Sequence, residues 1–461
     1  AFSCCCPKVI AGSVCKQRRV PDLTGPRPCD LGKYGGPIQA KALPKGPAHQ
    51  ERKMMNMKRL TACLLAVLMV LAMTACGGNN NASSPASDAG NNGAGTGNDT
   101  PAPAGTVTIK VGGIGPLTGD LAQYGTATEW GAQVAVDEIN ALNGPVRLEF
   151  DFQDDTGVAE TGVAAYNTLK DWGVDVIYGT TTTAPCVAVA SETFADRYFQ
   201  LTPSASSPDV TANKDNTFQM CFTDPGQGAA AANYMKDNNL GSKIGVIYNN
   251  GDAYSAGIAQ AFIEKAKELS LEVVATQTFP ADTTTDYTVQ LNACKDAGAD
   301  LVFLPIYYTP ASLILAQAKQ MSYAPTFFGA DGMDGMLDME GFDKSLAEGL
   351  MLMTPFNASA TDSRTATFVE SFKKLSGDVI PNQFAADGYD CMYAIYEACC
   401  EIEGIGEMDH SQLCDALIAK FTSGTFKVDG LTGTGMTWLE SGEISKAPVV
   451  VKVENGAYVN A

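Results

Sequence analysis

From Thr106 onward the chain alternates short apolar runs of β type with segments of helical period, and this alternation predicts parallel strands covered by helices. Nine runs read as strands: VTIKV (107–111), LEFDF (148–152), VDVIY (174–178), YFQLT (198–202), IGVIY (244–248), LEVVAT (271–276), DLVFLP (300–305), PTFFG (325–329) and LMLMT (350–354). Their apolar character is nearly continuous, which suits strands buried on both faces. Between them, 126–142 sets Trp130, Val134 and either Ala141 or Leu142 on one helical stripe, and 259–269 does the same with Phe262 and Ala266. The roughly 355 residues concerned exceed one comfortable core, so two α/β lobes are expected.

Upstream the pattern changes. Met57 to Cys76 reads MKRLTACLLAVLMVLAMTAC, with Lys58 and Arg59 as a basic start, Leu60 to Met73 as an apolar middle and small residues before the cysteine. That is the layout of an export signal (57–75) ending at a lipid-attachment site, Cys76. The sixteen residues from Leu60 to Ala75 fall short of the about 20 that a membrane span needs. The Gly/Asn/Ser/Ala/Pro tract over 76–105 cannot bury enough apolar surface to order itself and reads as a tether. The expected location is extracytoplasmic, anchored by lipid to the outer face of the cell membrane, or periplasmic. Residues 1–56 carry five cysteines among Pro, Gly and basic residues without periodicity. They are expected to be an upstream extension, with the start at Met57, Met54 or Met55.

Charge sharpens the division. The whole chain has net charge −20, but residues 1–76 hold twelve Lys/Arg and three Asp/Glu, which leaves 19 basic and 48 acidic residues beyond, a net −29. Such a surface argues against nucleic acid and anionic lipid as direct partners.

Catalytic patterns are missing from this part of the sequence. His410 is its single histidine, so no two-histidine metal site can form, and its place before a helical pattern suits a solvated or capping role. Seven cysteines without a CxxC argue against zinc and for small core residues. There is neither a GxSxG elbow nor a GxxxxGK[ST] loop. Gly113 to Gly119 follows a strand as a dinucleotide loop would, but its spacing is one residue too long and Pro116 removes a backbone donor. No catalytic residue, metal or cofactor is expected.

Polar, Gly/Pro-rich loops follow several strands instead, where open parallel sheets bind ligands. TTTTAP (180–185) precedes a helix, so its hydroxyls and N–H groups can form an anion cradle or simply cap that helix. TPSASSPDV (202–210) offers further hydroxyls, and FFGADGMDG (327–335) carries Asp331 out of a strand end, as a ligand carboxylate or an exposed loop acid. An anion cradle together with one carboxylate suits a zwitterion such as an amino acid.

IKVGGIGPLTGDLAQYG, WGAQVAVDEINALNG, the Asp154-Asp155 pair, LTPSASSPDVT, IYNNGDAYSAG, TTTDYTVQL, FFGADG and DGYDCMYAIYEA occur in an order and spacing that resemble the branched-chain amino acid binding proteins. These are extracytoplasmic receptors of ATP-driven importers and type I periplasmic binding proteins; the resemblance spans about 106–455. It implies an α/β fold of two Rossmann-like lobes with parallel sheets joined by three crossings, lobe one at 106–224 and 355–436, lobe two at 225–354 and 437–461. It implies that a ligand carboxylate meets Thr181, Thr182 and Thr183, and that an ammonium meets Ser204, Ser206 and Asp331, where glutamate is familiar. Aspartate is one methylene shorter, so a closer lobe or an intervening water is required. Tyr124, Tyr254 and Tyr307 match aromatic positions of the cleft, with Tyr308 as the alternative to Tyr307. The implied partners are an amino acid and the membrane subunits of an ABC permease. A receptor for an amide, urea-like or other small polar ligand, and a sensor feeding a signalling partner, are the competing expectations.

Overall fold

A computed structural model describes residues 105–281 and 284–461. The expected export signal, Cys76, most of the tether and residues 1–56 lie outside the described residues.

The first sheet consists of β1 (Val107–Gly115), β2 (Val146–Asp154), β3 (Val176–Gly179), β4 (Phe199–Thr202) and β5 (Thr217–Gln219). All pairs are parallel, in the order β2-β1-β3-β4-β5. Helices α1 (Ala122–Ala141), α2 (Ala159–Trp172) and α3 (Thr183–Asp196) alternate with the strands. The chain then crosses to a second half: α4 (Asp224–Asp237), β6 (Ile244–Asn249), α5 (Ala253–Glu268), β7 (Val273–Phe279), α6 (Thr288–Asp296), β8 (Leu301–Leu304), α7 (Tyr308–Gln320), β9 (Thr326–Gly329) and β10 (Met351–Thr354). A second crossing returns it to α8 (Ser363–Ser376), α9 (Gln383–Cys400) and α10 (His410–Phe421), which pack on the first half through pairs such as Trp130–Phe372 and Phe199–Phe421. A third brings β11 (Val449–Glu454) and β12 (Ala457–Asn460) to the second sheet, ordered β12-β11-β10-β9-β8-β6-β7.

Each of the nine predicted runs is a strand. β5 is not among them because three residues carry no period, nor are β11–β12, which form an antiparallel hairpin at the edge of an otherwise parallel sheet. The expected lobe division needs one correction. Residues 437–446 pack on the first sheet: the Trp438 indole donates to the Gln219 carbonyl (2.8 Å) and the Gly442 carbonyl accepts from Gln219 N (3.0 Å). The edge of β5 would otherwise leave those groups unpaired, so the third crossing follows Lys446.

The stripe expected on α1 is also shifted. Ala141 and Leu142 are exposed, and the buried face runs through Ala127, Gly131, Val134, Ala135 and Ile139. The reason is α9, which lies against that face at backbone distance: a Cβ on Gly131 would sit 1.9 Å from the Ala385 carbonyl oxygen. Six of the seven cysteines are buried and all seven are free. His410 begins α10 but does not cap it; Asp409 does, and the imidazole stacks on Tyr198 at 4.1 Å. Among the described residues no helix is long and apolar enough to cross a membrane, and no group of three candidate metal ligands occurs.

Gly131→Ala should force α1 and α9 apart, at a cost of about 1–3 kcal/mol for overpacking. Urea unfolding should show a lower midpoint at unchanged slope.

Candidate functional site

Every strand that contributes to the site does so at its carboxyl end, where the backbone leaves the sheet and exposes unpaired N–H groups. β3 runs into the threonine loop and α3. Thr182 is the N-cap residue of α3 in extended conformation, yet its hydroxyl does not cap the helix and, though buried, has no partner among the described residues. The first N–H groups of an α-helix have no intrahelical acceptor; Pro185 removes one of them, which leaves those of Thr183 and Ala184 at the positive end of the helix dipole. Thr181 is fixed through its side chain to Thr128 (3.0 Å) and through its carbonyl to the Ser204 hydroxyl (2.6 Å). Thr181, Thr182, Thr183 and Ser204 together form a hydroxyl-lined wall of a cleft.

The opposite wall comes from the second half. Asp331 follows β9 in a single 3₁₀ turn (Asp331–Met333) and is fully buried. The Tyr254 hydroxyl donates to its carboxylate at 2.7 Å and accepts from Gly332 N at 2.8 Å. That contact needs glycine at 332, since a Cβ there would lie 2.5 Å from the Tyr254 oxygen. Tyr307 stacks on Tyr254 with rings 4.8 Å apart and nearly parallel. From the first half, Tyr124 on α1 donates to the Gly332 carbonyl and accepts from Tyr308 N (3.2 Å), and its ring meets Phe384 edge-on at 4.7 Å.

The structure thus brings Tyr124, Thr181, Thr182, Thr183, Ser204, Tyr254, Tyr307 and Asp331 around one cleft. Ser206 is placed elsewhere: it is fully buried at the first crossing, where its carbonyl accepts from Asp224 N (3.0 Å). Tyr307 and not Tyr308 lines the cleft; Tyr308 turns its hydroxyl to the Asp120 carbonyl (2.8 Å). Gly332 and Phe384 complete the lining and had not been singled out. Phe384 sits one residue inside α9, behind the N-cap Asn382, a start signal legible in the sequence although the direction of the ring is not. The cleft encloses 20 Å³, about what one water requires. The two halves meet beside this cleft, where Tyr124 bonds to Gly332 and Tyr308.

Burial governs the electrostatics. It pushes the Asp331 carboxyl up to about 6, against the hydrogen bond from Tyr254 that favours the ionised form. Tyr254 is driven well above the usual phenol range by burial and the nearby carboxylate, so it remains a donor. Asp155 behind the threonine loop and Asp334 one turn beyond Asp331 are raised by burial to about 7 and about 6.

A family model described as "Periplasmic binding protein" matches residues 108–457. A Leu/Ile/Val-binding protein homologue of Brucella melitensis is 28% identical over 342 residues, covering 73% of this chain and 89% of its own. A substrate-binding protein of a branched-chain amino acid transporter from Streptococcus pneumoniae, solved with isoleucine, is 26% identical with a TM-score of 0.68, covering 77% of this chain and 100% of its own. A leucine-binding protein from Thermotoga maritima is 25% identical with a TM-score of 0.67, covering 77% and 97%.

The raised carboxyls set the direction of pH dependence. Unfolded aspartates titrate near 4, so between that value and the folded values of about 6 to 7 the native chain holds more protons. Stability should therefore rise as pH falls from 8 to 5. The thermal midpoint should be higher at pH 5.5 than at pH 8, and Asp155→Asn should flatten part of that slope.

Proposed function

We propose that this chain, which belongs to the periplasmic binding protein family, is the extracytoplasmic substrate-binding component of an ABC importer and captures a branched-chain amino acid between its two halves. One observation carries the reading: a hydroxyl-rich helix N-terminus in the first half faces a buried carboxylate in the second across a single cleft. The first is built for an anion and the second for a cation, and a zwitterion satisfies both only when it joins the two walls.

In this reading the ligand carboxylate takes the N–H groups of Thr183 and Ala184 and the idle hydroxyl of Thr182. Its ammonium meets Asp331, whose short side chain is compensated by Tyr254, the hydroxyl held between Asp331 and Gly332 N. The rings of Tyr124, Tyr307 and Phe384 leave an apolar lining that suits an aliphatic side chain. The names borne by the relatives supply the branched-chain assignment. The chain does no chemistry on its ligand; closure buries it and presents the closed form to the permease. Met57 to Cys76 supports anchoring through a lipid on Cys76, with the tract to 105 as tether.

Thermal unfolding against a panel of amino acids and small amides tests the reading. Leucine, isoleucine or valine at 1,000 times its Kd should add about 4 kcal/mol of stability. Asp331→Ala should cost about 2–5 kcal/mol of binding, because it leaves the ammonium buried without its partner. A response to amides alone, or one indifferent to Asp331, would move the ligand to another class. Affinity should also be constant above pH 7 and decline below about 6, as protonation of Asp331 competes with the ammonium. Calorimetric titration across pH 5 to 8 measures this, and Asp331→Asn should abolish the decline.

A further inference from the structure

Asp331 and Asp334 lie on one tight turn, three residues apart, and Asp334 N donates to the Asp331 carbonyl at 2.9 Å. Asp331 faces the cleft, whereas Asp334 does not line it. The Asp334 carboxylate is buried and turned to the first residue of α9: Oδ2 accepts from Gln383 N at 2.9 Å, while Oδ1 accepts from Gly335 N at 2.9 Å. Thr354, at the second crossing, offers its hydroxyl to the same Oδ2 at 3.4 Å. Gln383 reciprocates, its side-chain amide donating to the Asp331 carbonyl at 3.0 Å. Each partner thus satisfies a group on the other. The helix end gains an anion where its dipole is positive, and the turn that carries Asp331 gains a donor from across the interface.

The turn belongs to the half built on the second sheet, whereas α9 packs on α1 in the first. Tyr124 on α1 donates to the Gly332 carbonyl in the same turn. Three hydrogen bonds from the first half therefore grip residues 331–334, and two of the three come from Gln383. All are backbone or side-chain bonds of the protein itself, so they form when the halves meet whether or not a ligand lies between them.

We propose that Asp334 and Gln383 are a latch between the two halves, which holds the turn of Asp331 in its receiving position and makes ligand affinity depend on two residues that line no part of the cleft. The latch deepens the preceding reading and rests on it for the identity of the ligand. Both are positioning residues acting through Asp331. Ligand-free protein then populates the closed form, and ligand binding is strengthened by contacts prepared in advance.

The test uses two readouts, the affinity for leucine by calorimetry and the radius of gyration of the ligand-free protein by small-angle X-ray scattering. Asp334→Ala should weaken leucine at least tenfold and enlarge the ligand-free protein. Gln383→Ala should do both to a smaller degree, while Asp334→Asn, whose side-chain oxygen still accepts from Gln383 N, should recover most of the affinity. Wild-type values of either readout in both alanine variants overturn the latch, as does a loss of thermal stability with unchanged affinity. Should Asp334→Ala fail to fold, Gln383→Ala decides by the same two measurements. Were wild-type protein to bind no amino acid, the ligand reading would fail, and the scattering comparison alone would still decide the latch.

Discussion

The architecture turns on a carboxylate, Asp331, kept out of water in a cleft between two sheets. Burying a carboxylate is costly unless a donor meets it, and here that donor is the Tyr254 hydroxyl, while further contacts hold the turn. Tyr254 reaches it because residue 332 is glycine, Tyr307 fixes the Tyr254 ring by stacking, and Gln227 on α4 accepts from the Asp331 amide (3.2 Å). Even so, burial leaves the group raised to about 6. In the proposed function, a ligand ammonium supplies the charge partner that the protein itself does not place there.

The crossings between the halves are organised by a second buried charge. Lys446, 1% exposed at its side chain, pairs with Asp387 on α9 at 2.5 Å and donates to the Met220 carbonyl at 3.0 Å. It thereby ties the third crossing to the start of the first. One turn further along α9, Asp390 accepts from Leu431 N, Thr432 N and the Thr432 hydroxyl. The same helix accordingly carries the latch at its first residue, the hinge pair at its fifth and a loop clamp at its eighth. α9 lies against α1 at backbone distance because residue 131 is glycine, so all three contacts are borne by one helix packed on the first half.

Much of this was legible in the chain. The nine apolar runs became strands since β-branched and aromatic residues in short unbroken stretches fit a sheet covered on both faces. The loops that follow β3, β4 and β9 had to lie at one edge of those sheets, because parallel strands joined by helices put all their carboxyl ends together. Eight of the candidate positions line the cleft for that reason. Ser206 does not, although it stands two residues from Ser204: the chain there already enters the first crossing, where the Ser206 carbonyl accepts from Asp224 N and its side chain is buried.

The sequence by itself determined the fold class and the loops that carry the polar groups, since both follow from local period and turn chemistry. Only the tertiary structure decided which groups meet across the two halves. Gly332, the direction of the Phe384 ring and the Asp334–Gln383 pair carry no local signature, for a carboxylate that accepts from a helix N–H in another part of the chain reads in one dimension as an ordinary loop aspartate. The place of 437–446 was settled likewise, by the unpaired edge of β5 that those residues cover. Contacts between elements tens to hundreds of residues apart depend on how the sheets are set against each other, and hydrophobic period along one segment contains no term for that.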